Sequence, residues 1–241
     1  MKTTINKKLG GVAVAIVGIL IPTTTMAQDK FEVSLEADVV SKYVWRGFDQ
    51  GSGASVQPSL GLAYKGVSLS AWGSTSITDL EPKEFDITLG YSIGGLGITV
   101  TDYWWSGESG KYGYYKDSHY FEGALSYHFG EKVPLTLSVA TMFAGADKNP
   151  EDNQNFSTYF NASYDIACPG DVTLTPSIGV STKSYLYTGE KISGLTDISL
   201  KATRSIKVTD SFSIPIFGQD ISGIRHEFLK EIQNTLIQEG I

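Results

Sequence analysis

The 241-residue sequence has one cysteine, little charge, and no apolar run long enough to cross a bilayer as a helix. The single cysteine, Cys168, excludes an intramolecular disulfide and a cysteine-rich metal site. Only 19% of the residues are charged, with 19 basic against 26 acidic. This acidic balance argues against nucleic acid as the main partner, because a nucleic-acid surface is usually basic. A spanning helix is not predicted in the mature chain, since one needs roughly 20 apolar residues.

The first 27 residues have the pattern of a signal peptide. Three lysines precede a short apolar run at 11–21, and a small-residue cleavage pattern ends at Ala27. Cleavage there would remove three lysines and change the net charge from −7 to −10. The residue directly after Ala27 is not a cysteine, which excludes a lipoprotein anchor at this position. The sequence therefore predicts export of a chain that begins at Gln28.

The mature sequence is dominated by alternation of apolar and polar residues, the period of a β-strand. In the first segment, Val33 and Leu35 alternate with Ser34 and Glu36. Ten more segments follow the same pattern, the last at residues 212–216. Most are about 10 residues long, the length of a tilted strand that crosses a bilayer. The fold class predicted from this pattern is all-β.

The connections between the segments alternate between short and long. Two-residue links at 65–66 and 94–95 alternate with long links such as 47–54, 106–117 and 183–193. An up-and-down outer-membrane barrel has short periplasmic turns and longer outer loops. We therefore predict an antiparallel up-and-down transmembrane β-barrel of about 12 strands, formed by residues 28–219.

The two faces of the predicted strands differ, but alternation alone does not say which face points inward. Aromatic residues near the strand ends are predicted to form interfacial girdles. These are Tyr43, Trp45, Tyr64, Tyr91, Trp104, Phe129, Phe143, Phe156 and Tyr164. A soluble barrel would require the reverse arrangement, with apolar residues inside. Eleven segments exceed the eight strands of a lipocalin-like barrel, which favours the membrane arrangement.

The C-terminal residues 220–241 depart from the strand pattern. Their apolar residues recur at spacings of three and four, which predicts a helical tail. Eleven strands alone leave an up-and-down barrel without its twelfth strand and with unpaired edges in lipid. Three explanations remain open: the tail forms a strand, the barrel closes with a poorer partner, or the sequence is altered near Gln219.

The run VSKYVWRGFDQ at residues 40–50 resembles the N-terminal signature of the TorF-family porins. Gln57-Pro58, residues 69–74, Phe121-Glu122 and residues 214–218 continue the likeness in the same order, over about residues 31–219. The resemblance implies an outer-membrane β-barrel with pore or transport activity and without catalytic residues. Such barrels usually end in an amphipathic strand with a terminal aromatic that assists assembly. This chain instead ends in Glu-Gly-Ile.

Charged residues on the polar face are the candidates for ion selectivity. Arg46 and Lys42 are predicted near the outer end of the first strand, with Asp38 and Glu36 further inward. Opposed charges inside a pore would set a transverse field. The other candidates are Glu32, Asp86, Glu122, Asp165, Asp197 and Lys201. Acids outnumber bases, which predicts a mild cation preference. The alternative is a salt-bridge network that braces a narrow lumen.

The long connection 106–117 contains candidates for recognition at the cell surface. Tyr112, Tyr114 and Tyr115 lie among glycines, a composition that suits binding loops. The alternative is an aromatic-rich outer rim without a ligand.

Neither catalysis nor metal binding is predicted. Glu36 and Asp38 are neighbours on one face, but no histidine lies near them in sequence. His119 and His128 are separated by an odd number of residues, so on a regular strand they face opposite sides. No cofactor is expected, and Gly94-Gly95 joins two strands rather than opening a helix at a nucleotide site.

These patterns together predict a porin of the cell outer membrane that allows passive diffusion of small polar solutes or ions. The expected partners are outer-membrane lipid, the barrel assembly machinery and the solutes themselves. One alternative is a non-conducting structural or surface-interaction barrel whose lumen is filled by side chains. A second alternative is a soluble periplasmic binding barrel.

Overall fold

The computed structural model describes residues 13–16, 31–51, 53–78, 83–106, 111–115, 117–182, 185–188, 193–209 and 212–223. Within these ranges the chain is all-β and forms one large antiparallel sheet. The eleven long strands are β2 (Glu32–Val40), β5 (Ser55–Tyr64), β6 (Val67–Ser76), β7 (Lys83–Ile93), β8 (Leu96–Trp105), β9 (His119–His128), β10 (Leu135–Gly145), β11 (Thr158–Tyr164), β13 (Val172–Thr182), β14 (Gly194–Thr209) and β15 (Phe212–Gly223). The short elements are β1 (Ala13–Ile16), β3 (Val44–Trp45), β4 (Phe48–Asp49), β12 (Ile166–Cys168) and one helical turn, α1 (Tyr185–Thr188).

Each long strand corresponds to one of the eleven predicted segments. From β5 to β11, every long strand pairs with the next one along the chain, and so do β13, β14 and β15. Strand β11 pairs directly with β13, and the short strand β12 pairs with a further part of β13. The prediction of an antiparallel up-and-down sheet is therefore confirmed.

The alternation of short and long connections is also confirmed. Residues 65–66, 94–95 and 169–171 make short turns at one end of the sheet. The strand ends at the other end are separated in the sequence by longer connections, at 41–54, 106–118, 146–157 and 183–193. The sequence pattern also predicts a connection at 204–209, and this prediction is wrong, because strand β14 continues through these residues.

Strand β1 lies between β2 and β15 and is antiparallel to both. It has four residues, whereas β2 has nine and β15 has twelve, so it covers only part of their edges. This strand falls within the predicted signal peptide, and cleavage after Ala27 would remove it from the sheet. It occupies the position that the sequence left open for a twelfth strand.

The two faces of the sheet have the reverse of the usual distribution of polarity. Of the described side chains, six hydrophobic residues are buried, against sixteen polar or charged ones. Thirty-two large hydrophobic side chains are exposed, and they recur along the strands, as at Leu69, Leu89 and Val100. A water-soluble domain buries its large apolar side chains and pairs or exposes its charges. One face of the sheet, called outward below, therefore exposes apolar side chains, and the other, called inward, buries polar ones.

Two of the predicted girdle aromatics face inward, which corrects that prediction. Strand β2 ends at Val40, so the alternation does not continue through Tyr43 and Trp45. Tyr43 packs edge-on against Trp72, and Trp45 packs against Trp105. Of the other seven, six are exposed: Tyr64, Tyr91, Phe129, Phe143, Phe156 and Tyr164. Trp104 is buried.

The predicted helical tail begins too early. Residues 220–223 belong to strand β15 and pair with β14, rather than opening a helix. The rest of that prediction, residues 224–241, lies outside the described residues. Among the parts of the chain that the structure describes, there is no helix long and apolar enough to cross a membrane.

Candidate functional site

The candidate site is built around a small hairpin in the connection between β2 and β5. Its strands β3 and β4 are joined by Arg46 and Gly47, which have φ values of 49° and 85°. Positive φ at both central residues is the requirement of a type I′ turn, which glycine meets without steric cost. In the connection, Lys42 pairs with Asp49 at 2.8 Å, and the backbone N–H of Gln50 donates to the carbonyl of Tyr43. The turn thus places Arg46 at the tip of a braced hairpin.

Arg46 reaches across the interior to Glu122 on β9. Its Nη1 donates to Glu122 Oε2 at 2.6 Å, and its Nη2 donates to Oε1 at 3.0 Å. Glu122 is 3% exposed, and Tyr103 donates a further hydrogen bond to Oε1. This bidentate geometry is the strongest form of arginine–carboxylate pairing. It offsets the left-handed backbone of Arg46, which costs a non-glycine residue roughly 1–2 kcal/mol.

Aromatic rings enclose the Arg46 guanidinium. Its Cζ lies 4.5 Å from the ring centroids of Trp45 and Tyr159, and 5.6 Å from that of Tyr187. Nη1 also donates to the hydroxyl of Tyr187, which projects from α1 in the connection between β13 and β14. Residues from two connections and two strands therefore surround the Arg46 guanidinium on the polar side of the sheet.

The charge of Arg46 is permanent. Burial alone would lower the pKa of its guanidinium, but Tyr187 and Glu122 beside it raise that pKa above its ordinary value. Burial also raises the pKa of Tyr187, so its hydroxyl is neutral at neutral pH. Glu122 therefore carries the charge that compensates Arg46, and removing either partner would leave the other uncompensated.

A polar cavity of about 210 Å³ lies beside the hairpin. Its walls come from the hairpin and from β11, β13, β14 and β15. The lining residues are Val44, Arg46, Gly47, Tyr159, Asn161, Ser177, Asp197, Ser199, Gln219 and Ile221. Because most of them carry hydrogen-bonding groups, the cavity suits water or a polar solute.

Asp197 is held in this wall by Tyr159, and Gly179 leaves room for the pair because it has no side chain. The Tyr159 hydroxyl donates to Asp197 Oδ2 at 3.0 Å. A Cβ added at Gly179 would lie 2.2 Å from that carboxylate oxygen and 2.3 Å from the hydroxyl. Any larger residue at position 179 would therefore displace this pair.

A second group of acids lies on the inner face of β7. Glu84 and Asp86 are two residues apart, so they share a face, and they are 6% and 8% exposed. Glu84 Oε1 and Asp86 Oδ1 have no hydrogen-bond partner within the described ranges. Burial, with Glu84 beside it, raises the pKa of Tyr43, which therefore stays a neutral hydroxyl next to these acids.

The first-strand charges do not form the predicted ladder. Lys42 lies in the connection after β2 and pairs with Asp49, not with the inward acids. Asp38 and Glu36 pair with residues of β5 and lie on the same face of the sheet as Gln57. Glu32 is on that face too, at the other end of the strand, and is exposed. Of the predicted bases, Lys42 therefore braces the hairpin through Asp49, and Arg46 pairs with the predicted acid Glu122.

The remaining predicted charges lie apart from the hairpin. Lys201 on β14 has its Nζ 4.4 Å from the ring centroid of Phe217, and Asp38 and Asp165 are the acids near it. Asp165 accepts a hydrogen bond from Thr175 at 2.6 Å and is exposed. Asp86 is in the acid group on β7. Within the described ranges, Arg46 and Glu122 thus form an ion pair between two predicted candidates, and Asp197 lines the cavity beside Arg46.

The tyrosines of the connection 106–118 pack on the outer face of the sheet. Tyr112 packs edge-on against Phe85 and Trp104, and Tyr115 stacks on His119 at 3.7 Å between ring centroids. Tyr114 is exposed, and its backbone carbonyl accepts a hydrogen bond from Ser118. The described part of this connection therefore resembles the aromatic-rim alternative more closely than a free recognition loop.

His119 fastens this connection to the sheet. Its ring is fully buried, with Nδ1 at 2.7 Å from Asp102 Oδ1 and Nε2 in contact with the carbonyl of Tyr112. The ring is therefore held at both nitrogens. His128 faces the other side of β9, as its spacing predicts, and contacts Thr136.

Replacing His119 by alanine is expected to release this connection. Loss of a charge-assisted hydrogen bond of about 2 kcal/mol would raise the fraction of molecules in which the connection is detached from the sheet roughly thirtyfold. Limited trypsin cleavage after Lys111, followed by mass spectrometry, measures the change. His128→Ala is the matched control on the same strand, and equal cleavage of both variants would contradict the fastening role.

Three residues of the site are absent from the sequence prediction. Glu84 follows from the alternation of β7, but the sequence pattern predicts this strand from Phe85, whereas β7 begins at Lys83. The inward orientation of Tyr159 likewise follows from the alternation, because its neighbour in the sequence, Phe160, faces outward. Tyr187 has no signal in the sequence, because its four-residue helix lies inside a connection and 141 positions from Arg46.

No family model, no curated protein and no solved structure matches this chain. Within the described ranges, no group of three or more His, Cys, Asp or Glu residues could hold a metal ion.

Proposed function

We propose that this protein is an outer-membrane porin in which the Arg46 hairpin narrows the passage for small polar solutes or ions. The observation that carries the proposal is the reversed polarity of the sheet. Its outward band of apolar side chains would be costly in water, and its inward face buries charges that lipid could not accept.

Closure of the sheet into a barrel is part of this proposal. The pairing of β11 with β13 supports it. Strand β1 joins β2 to β15 in the full sequence, and in the exported chain, which lacks β1, these two strands would have to pair with each other. Val40 on β2 also packs against Phe217 on β15, so side chains approach each other across the seam. A closed sheet would leave no unpaired strand edge in lipid, which is the condition for spanning a bilayer.

The location and family are proposed on the same grounds. Long connections at one end and short turns at the other suit outer loops and periplasmic turns. The TorF-like run at residues 40–50 contains the whole Arg46 hairpin. If the likeness is one of descent, the signature of this family marks the element that narrows the lumen.

A non-conducting barrel is the second candidate. The packing of Arg46 against Glu122 and the surrounding aromatic rings favours it. In that case the charged pair would brace the wall instead of selecting solutes.

Heat-modifiable gel mobility tests the membrane half of the proposal. The protein would be expressed with its full sequence, and the outer-membrane fraction would be run with and without boiling in detergent. A closed barrel resists unfolding by cold detergent, so the unboiled band is expected to migrate faster. Recovery in the soluble periplasmic fraction, with no mobility shift, would contradict the proposal.

A further inference from the structure

The cavity beside the hairpin has opposite charges on its two sides. Arg46 lies over the ring of Tyr159, with Cζ at 4.5 Å from the centroid. The hydroxyl at the far end of the same ring donates to Asp197. Arg46 and Asp197 both line the cavity, so a solute inside it meets a cation and an anion at once.

Both charged groups retain hydrogen-bonding capacity. A guanidinium has five N–H donors, and three from Arg46 go to Glu122 and Tyr187. Asp197 uses Oδ2 for Tyr159, while Oδ1 accepts no hydrogen bond from another described residue. The Arg46 side can therefore donate to a ligand, and the Asp197 side can accept.

The amide side chains strengthen this polarity. Asn161 donates from Nδ2 to the Tyr159 hydroxyl and to the carbonyl of Ile178. Gln219 donates from Nε2 to Ser199. Asn161 thus uses both of its amide N–H groups and Gln219 uses one of its two, while the amide oxygens of both residues add acceptors to the wall that contains Asp197.

We propose that this cavity binds a small zwitterion of α-amino-acid size, with its carboxylate at Arg46 and its ammonium at Asp197. The volume of about 210 Å³ equals roughly seven water molecules, which is enough for an amino acid with a small side chain. A solute with one charge would satisfy only one side, and a neutral polyol would satisfy neither charge. The inference rests on the proposed function, because it names the solute class that would reach the constriction.

Calorimetric titration of the detergent-purified full chain tests the inference. The probes are L-alanine, glycerol, acetate and ethylammonium. We expect L-alanine to bind at least tenfold more tightly than each of the other three. D197N is expected to weaken L-alanine binding at least tenfold, because it removes the charge that faces the ammonium, and to leave acetate binding unchanged.

Asp171→Asn is the matched control, because Asp171 lies in an exposed turn with a positive φ that asparagine tolerates. It should bind L-alanine as the wild type does. Equal binding of L-alanine and glycerol, no binding of L-alanine, or no effect of D197N would each overturn the inference. If D197N does not fold, the wild-type comparison of L-alanine with acetate and ethylammonium decides alone.

This test separates the inference from the proposed function, since it measures binding without ion current. A barrel that conducts but does not prefer L-alanine would overturn the inference alone. A barrel that binds L-alanine but does not conduct would overturn the passage of solutes and leave the binding site.

Discussion

Replacing Arg46 by alanine is expected to lower the free energy of unfolding by about 3–5 kcal/mol. The reason is Glu122, which would keep its charge in an interior where it is 3% exposed and would lose both hydrogen bonds from the guanidinium. The lost contacts with Trp45 and Tyr159 add to the effect. Urea unfolding of the protein in lipid vesicles, followed by tryptophan fluorescence, measures the change.

A double-mutant cycle separates the ion pair from simple loss of packing. R46A combined with E122A should unfold at a higher urea concentration than R46A alone, because no buried charge is left uncompensated. R46K keeps the charge but loses the bidentate geometry, and we expect an intermediate loss. Additive effects of R46A and E122A would contradict the pairing.

Replacing Leu89 by arginine is expected to block insertion into lipid. Leu89 lies in the middle of β7, is 56% exposed, and is flanked by the exposed Leu69 and Val100. On a water-facing surface this substitution would change stability by no more than about 0.5 kcal/mol. On the lipid-facing side of a barrel, an arginine near the midplane costs roughly 2–4 kcal/mol. The difference makes this substitution diagnostic of the medium around the sheet.

The measurement is the yield of folded, heat-modifiable protein after refolding into vesicles. Val133→Arg is the matched control, because Val133 is similarly exposed but lies in the connection between β9 and β10. We expect a severalfold lower yield for L89R and a yield near wild type for Val133→Arg. Equal yields for both would show that the apolar band does not face lipid.

The strands could be predicted from the sequence because both faces obey a strict period of two. That period fixes which residues share a face, so Asp86 and Glu122 could be assigned to the same side as the polar wall. It also fixed the opposite orientation of His119 and His128. The alternation continues in the sequence past Val40, however, and this is why Tyr43 and Trp45 were predicted to face outward.

The cluster around Arg46 could not be predicted because it depends on a departure from the strand pattern. Two residues with positive φ, Arg46 and Gly47, turn the chain back on itself. A pair such as Arg-Gly is a weaker turn signal than Asn-Gly or Asp-Gly. The partner residues come from distant strands and from the short helix that carries Tyr187, so only tertiary packing brings them together.

The cavity wall has a similar origin. Asp197 could be assigned to the polar face, but its pairing with Tyr159 depends on the register between β11, β13 and β14. The register places Gly179 between them, and the missing side chain leaves room for the pair. Neither the pairing nor the space is visible in the order of residues along one strand.

Single-channel recording in planar bilayers tests the central claim, that the Arg46 hairpin narrows a passage through a lipid-spanning barrel. The wild type would be compared with the R46A/E122A double variant, in which the pair across the lumen is removed without leaving a buried charge. We predict discrete current steps for the wild type and larger steps for the double variant. Inserted, heat-modifiable barrels that give no steps in either form would contradict the claim.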